Sequence, residues 1–205
     1  MKELKLKELV YAGQDWGGPI GMGALSLSPE LLKGAVLLNT GFNAPKVNAD
    51  LSPAHALVKT PVIGELLLEV VFSIFERLKS VQGNPDSWTS EVAELYGRPV
   101  YESGNSKAPL AMMRMVPDGP NHQSAPSMRR IEEYVNTLEI PAEIVWGEND
   151  PILGRALPIM QQNFPNARLT KTTAGHFLQE EVPNEIAEAL IRVVEEITGS
   201  QTQKN

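Results

Sequence analysis

Three short runs of unbroken apolar character stand out along the chain. Leu4, Leu6 and Leu9 lead into Val10-Tyr11-Ala12, which Gly13 ends; Ala35-Val36-Leu37-Leu38-Asn39 follows Lys33-Gly34; and Pro141-Ala142-Glu143-Ile144-Val145-Trp146-Gly147 forms the third. Runs of this length without alternation predict parallel strands covered on both faces. Ala167 to Thr172 is a fourth, more polar strand that suits a sheet edge. Between the first two runs, about Pro19 to Ser28 reads as a helix, and Pro29-Glu30 ends it. Strand, helix, strand is a βαβ unit, so the second strand is expected parallel to the first with the helix packed across them.

Helical spacing dominates elsewhere. Leu66, Leu67, Val70, Val71, Ile74, Phe75 and Leu78 recur at intervals of three and four, predicting a helix from Ile63 to Lys79, with a second from Trp88 to Tyr96. These lie in a proline-rich stretch, from Gly41 to about Pro126, that no strand pattern interrupts. Ser127 to Leu138, Gly154 to Asn163, and a last segment opened by Pro183 with Ile186, Leu190, Val193, Val194 and Ile197 on one face complete the helices. The organisation expected is an α/β core in two pieces, residues 1–41 and 127–205, holding a partial parallel sheet of about four strands. An inserted helical cap, residues 42–126, would sit over the first strand-to-helix turn and shape the pocket.

Composition narrows the function. Of 205 residues, 42% are hydrophobic and 21% charged, enough apolar material for one compact core. The net charge of -7, with Lys and Arg scattered, argues against a nucleic-acid surface. Zero Cys excludes a disulfide framework, a thiol nucleophile and a thiolate metal site. Met1 to Leu9 alternates Lys and Glu with Leu and reads as carrying no export signal, so the cytoplasm is the expected compartment. Leu66 to Phe75, the most apolar stretch, is too short for a bilayer span and carries Glu69. No His, Asp and Glu set has metal-ligand spacing, so neither metal nor cofactor is expected, and the partners are a small-molecule substrate and water.

The candidate chemistry lies where strands end. Gly13-Gln14-Asp15-Trp16-Gly17 has the small-x-nucleophile-x-small layout of a nucleophile elbow, with an aspartate at its centre. Gly13 and Gly17 are expected where strand and helix backbones approach too closely for a Cβ. Asp150, in Glu148-Asn149-Asp150-Pro151, and His176, in Ala174-Gly175-His176, each follow a predicted parallel strand. Nucleophile, acid, histidine is the order that alpha/beta-hydrolase folds use. Asp15 would attack an electrophilic carbon, His176 would activate water to hydrolyse the resulting ester, and Asp150 would orient the imidazole. An aspartate can displace a leaving group at a saturated carbon, whereas a serine suits acyl transfer. A dinucleotide site is the weaker reading of the glycine-rich turn, because no G-x-G-x-x-G is in register and Asp15 would repel a pyrophosphate.

Through Gly13-Gln14-Asp15-Trp16-Gly17-Gly18-Pro19, Trp146-Gly147-Glu148-Asn149-Asp150-Pro151 and Ala174-Gly175-His176-Phe177-Leu178-Gln179-Glu180, the chain resembles the haloalkane dehalogenase family of alpha/beta hydrolases. The resemblance implies cleavage of a carbon–halogen bond in small haloalkanes. It makes Asp15 the nucleophile, Asp150 the acid and His176 the base, with Trp16 offering its indole and backbone N–H groups to the halide. An acid after the Trp146 strand resembles the branch whose second halide donor is a cap tryptophan. Trp88 is the only tryptophan of that stretch, though its spacing from Tyr96 departs from that branch. Two related activities stay open: epoxide hydrolysis, for which Tyr96 and Tyr101 would serve and against which Gln14 argues, and β-lactone decarboxylation, whose enzymes Pro120 to Glu133 resembles. The resemblance starts within the family's pattern, covering its strands five to eight and the cap. That implies a bare apolar edge on the Val10 strand, self-association through it, and, as the reading from another class, an inactive fragment serving only as an interaction module.

Overall fold

The computed structural model describes residues 3–48, 53–66, 74–104 and 107–202. Four strands, β1 (Leu9–Gln14), β2 (Leu32–Leu38), β3 (Ala142–Gly147) and β4 (Arg168–Thr172), form one all-parallel sheet in the order β1-β2-β3-β4. Helix α1 (Gly17–Leu25) joins β1 to β2. It stops before Ser28 because the residue preceding Pro29 is pushed out of the helical region, and Ser28 stands at φ -153°, ψ 62°.

The unbroken apolar runs have a direct cause. Alternate side chains of a strand point to opposite faces, and here both faces are buried. On one, Ala35, Leu37, Ile144 and Trp146 pack with Met22 and Leu25 of α1, and with Val135, Leu157, Met160 and Phe164. On the other, Val36, Leu38 and Val145 pack with Ala174, Leu178, Ala189 and Val193, the last two from the C-terminal helix Pro183–Thr202. Glu143 lies within β3, 5% exposed. A buried carboxylate needs a partner, and Arg192 of the C-terminal helix donates to both of its oxygens at 2.6 Å.

The edge strands are less covered. β4 is half-buried to exposed along its length, as its polar sequence predicts. Val10 and Tyr11 of β1 are half-buried and Ala12 is exposed, and among the described residues β1 has β2 as its sole strand neighbour.

The chain divides into two compact units, one of residues 1–43, 81–84 and 128–205, the other of residues 44–80 and 85–127. Among its described residues the second unit contains no strand. Its main helices are Pro53–Lys59, Ser90–Glu102 and Ala108–Met115. Residues 67–73, most of the apolar face expected between Ile63 and Lys79, lie outside the described residues; helical turns stand on either side at Ile63–Glu65 and Ile74–Arg77. The helix expected from Trp88 starts at Ser90, because the Thr89 hydroxyl accepts from the Val92 N–H at 3.2 Å and caps it there. Arg114 donates to both oxygens of Glu65, at 2.6 and 3.0 Å, which holds that carboxyl down to about 2. Among the described residues no helix is long and apolar enough to cross a membrane.

Candidate active site

Register brings the site together. Gln14 pairs with Leu38 and Leu38 with Val145, so the carboxyl ends of β1, β2 and β3 lie level, and Gly147 pairs with Thr172 of β4. Asp15, Asn39, Asp150 and His176 all follow these ends, where parallel α/β sheets present functional groups.

Asp15 sits at φ 46°, a left-handed conformation that costs a non-glycine residue on the order of 1–2 kcal/mol. Its neighbours hold it there. The Asp15 N–H donates to the Asn39 carbonyl at 3.1 Å, while its own carbonyl accepts from the Thr40 hydroxyl at 2.7 Å and the Gly18 N–H at 3.1 Å. The side chain, 39% exposed, projects from the turn. At Gly13 an added Cβ would lie 3.0 Å from the Gly18 Cα of α1, so the close approach of strand and helix backbones expected there is present. The expectation for Gly17 is overturned: a Cβ there would meet nothing nearer than the Tyr11 hydroxyl at 4.0 Å. Gly18 carries the constraint instead, since its Cβ would fall 1.9 Å from Thr40 Oγ1. The sequence motif marks the turn but not which side of it touches the next strand's loop.

The Asp150 side chain is fully buried and His176 nearly so. His176 Nδ1 lies 3.0 Å from Asp150 Oδ2, which also accepts from Asn39 Nδ2 at 2.8 Å, while Asp150 Oδ1 accepts from the Ile152 N–H at 2.7 Å. Burial is the largest single influence on Asp150 and pushes its pKa up. The bonds and charge from His176, with the donors Asn39 and Ile152, outweigh burial and hold the carboxyl below its ordinary range. With Nδ1–H donating to that carboxylate, Nε2 is left as an acceptor, and it faces Asp15 Oδ2 at 3.9 Å. Gln14 Nε2 lies 3.4 Å from His176 Nε2 and donates to the His176 carbonyl at 2.9 Å.

Two residues of this arrangement escaped the sequence reading. Asn39 is fully buried at φ 28°, a conformation asparagine tolerates better than most residues. Its amide donates to the Gly147 carbonyl at 2.9 Å and accepts from the Gly147 N–H at 2.8 Å, extending the β2–β3 pairing by a side chain while holding Asp150. The one signal was an Asn ending an apolar strand. Thr40, also fully buried, carries no motif at all.

The tryptophans separate. Trp16, half-buried at the head of α1, makes no side-chain hydrogen bond among the described residues and adjoins Asp15. Trp88 belongs to the other unit, where it is 3% exposed. Its indole N–H donates to the Phe75 carbonyl at 2.8 Å and its ring packs on Tyr96 with centroids 4.9 Å apart. The donor that would have met a halide is therefore committed within its own unit. Tyr101 packs edge-on against Phe75 there. Among the described residues no group of His, Asp and Glu could hold a metal ion.

A parallel sheet carrying an acid-capped turn, a buried carboxylate and a histidine at one end is the frame of an alpha/beta hydrolase. The alpha/beta hydrolase fold family matches residues 1–183, and the chain belongs to it. It is 25% identical over 211 residues to a cis-3-alkyl-4-alkyloxetan-2-one decarboxylase of Shewanella oneidensis, a match covering 100% of this chain and 66% of that protein. It is 26% identical over 193 residues to a haloalkane dehalogenase of Mycolicibacterium paratuberculosis, covering 93% and 62%. Among solved structures, haloalkane dehalogenase DbeA of Bradyrhizobium elkani superposes with a TM-score of 0.82 at 16% identity, covering 97% of this chain and 71% of that one. Haloalkane dehalogenase DatA of Agrobacterium tumefaciens C58 does so with 0.79 at 22% identity, covering 96% and 69%. Those structures are alike in fold. The chain spans about two thirds of the length of the curated relatives it matches.

Proposed function

We propose that the chain is the nucleophile-bearing part of a haloalkane dehalogenase-like hydrolase that works through an aspartyl ester. The carrying observation is the 3.9 Å separation of Asp15 Oδ2 from His176 Nε2, with Nδ1 bound to Asp150. A serine nucleophile needs a base in hydrogen-bond contact to take its proton. A carboxylate is already ionised and needs none, and the base is free to act on water instead. Asp15 Oδ attacks the halogen-bearing carbon, a C–O bond forms as the C–X bond breaks, and halide departs beside the Trp16 indole N–H. His176 Nε2 then takes a proton from a water that adds to the ester carbonyl of Asp15. Collapse breaks the ester C–O bond, the alkoxide leaves as the alcohol with the proton of the added hydroxyl, the carboxylate is regenerated, and the imidazolium that Asp150 stabilises gives its proton to solvent.

Removing the base separates the two halves of this cycle. His176→Ala chain incubated with a 1-bromoalkane is expected to gain the mass of the alkyl group on Asp15 and keep it; an Asp15 peptide of unchanged mass would refute the assignment. A second reading is supported by the match over the whole chain to the oxetanone decarboxylase. Under it, Asp15 acts on a β-lactone, and incubation with a 3,4-dialkyl-oxetan-2-one releases carbon dioxide where the bromoalkane releases no bromide.

A further inference from the structure

We infer that Gln82 and Glu181 are positioning residues for His176, acting through a four-residue segment, Val81–Asn84, that belongs to the sheet-bearing unit although the chain on both sides of it belongs to the other. This rests on the reading of His176 as the base.

Asp15 is tied to the end of β2 through Asn39 and Thr40, Asp150 is tied there through Asn39, and the His176 carbonyl is tied to the end of β1 through Gln14. The His176 loop is tied as well to the Val81–Asn84 segment. The His176 N–H donates to the Val81 carbonyl at 2.8 Å. Next to it, the Phe177 N–H donates to Gln82 Oε1 at 3.0 Å, and Gln82 Nε2 returns a bond to the Phe177 carbonyl at 3.4 Å. A single primary amide thus pairs with both backbone groups of one residue, as a neighbouring strand would. Gln82 is 7% exposed, so water is a poor substitute for those bonds. Glu181 closes the other side: Oε1 accepts from the N–H groups of Gly83 at 3.0 Å and Gly175 at 2.9 Å, and Oε2 accepts from the Asn84 N–H at 2.7 Å. The two backbones touch without room for side chains, since a Cβ on Gly175 would lie 2.3 Å from the Val81 carbonyl oxygen.

Three successive N–H groups, of Gly175, His176 and Phe177, are therefore all satisfied by this arrangement. The Asp150 bond orients the imidazole about its χ angles, and the segment sets the height and direction of the backbone that carries it. Loss of Gln82 removes its two bonds to the Phe177 backbone, and with them the aim of Nε2 toward a water on the Asp15 ester.

The test uses the 205-residue chain with Gln82→Leu, and Val135→Ala, a core truncation in the cluster on the opposite face of the sheet from Ala174 and Leu178, as the comparator for lost stability. In proton NMR the His176 Nδ1–H bound to Asp150, assigned by its disappearance in Asp150→Asn, is expected to be lost or shifted in Gln82→Leu and kept in Val135→Ala even where both melt at lower temperature. With a 1-bromoalkane, Gln82→Leu is expected to alkylate Asp15 near the unsubstituted rate and to hydrolyse the ester roughly a hundredfold more slowly, so the adduct accumulates. An Nδ1–H resonance in Gln82→Leu unchanged in position and width overturns the inference. Absence of any adduct in His176→Ala would refute the dehalogenase reading alone, and the resonance would still decide whether Gln82 positions His176.

Discussion

Asn39→Ala removes the one side chain that holds both Asp150 and the end of β3. Three hydrogen bonds go: two with the backbone of Gly147, at 2.9 and 2.8 Å, and one to the Asp150 carboxylate at 2.8 Å. The site is fully buried, so water does not replace them, and two neutral bonds with one to a charged group are worth together roughly 3–5 kcal/mol. Alanine must also adopt φ 28° without the local bonds that favour asparagine there, a further ~1 kcal/mol. Urea unfolding at pH 7 is expected to show the loss as a lower midpoint with an unchanged slope. The pH dependence carries the sign. Asp150 is held below its ordinary range in the folded chain, so it contributes stability above about pH 4, where the unfolded side chain is ionised, and that contribution fades as pH falls through the folded value. Asn39→Ala shrinks the depression, so the gap between the two proteins is widest at pH 7 and narrows near pH 3. A loss below ~1 kcal/mol at pH 7, smaller than a single ordinary buried bond, would refute the reasoning.

Gly18→Ala drives a Cβ to 1.9 Å from Thr40 Oγ1, beside the bond that holds the Asp15 carbonyl, whereas Gly17→Ala meets only the Tyr11 hydroxyl, at 4.0 Å. Differential scanning calorimetry is expected to show a substantially lower melting temperature for the first and little change for the second; equal effects would contradict the assignment of the close approach to Gly18. Arg192→Met leaves Glu143 buried without its cation and is expected to cost roughly 3–5 kcal/mol, while the double variant Glu143→Leu with Arg192→Met recovers most of it in denaturant unfolding. A double variant as unstable as the single one would show that the pair itself, rather than the uncompensated charge, provides the stability.

The strands were legible because a parallel sheet buried on both faces requires continuous apolar runs, and β2 and β3 have them. The carboxyl ends of those runs, together with the family resemblance, pointed to Asp15, Asp150 and His176, and the structure places the three side by side. The resemblance likewise indicated the alpha/beta hydrolase fold, to whose family the chain belongs. What periodicity cannot carry is a side chain that bonds to backbone far away in sequence. Asn39 reaches Gly147 and Asp150, and Gln82 reaches Phe177, across about a hundred residues, and neither lies on an apolar face or in a motif. Gly17 and Gly18 are adjacent and chemically identical, and only the placement of Thr40 distinguishes them. Trp88 had the right residue type for a halide donor, but its indole N–H is taken by the Phe75 carbonyl, a contact between neighbouring turns that composition and spacing do not encode. The sequence determined where apolar surface must be covered and which reactive groups terminate the strands. The tertiary structure decided which polar groups are spent on holding one another, because that depends on the distance and direction of each donor and acceptor.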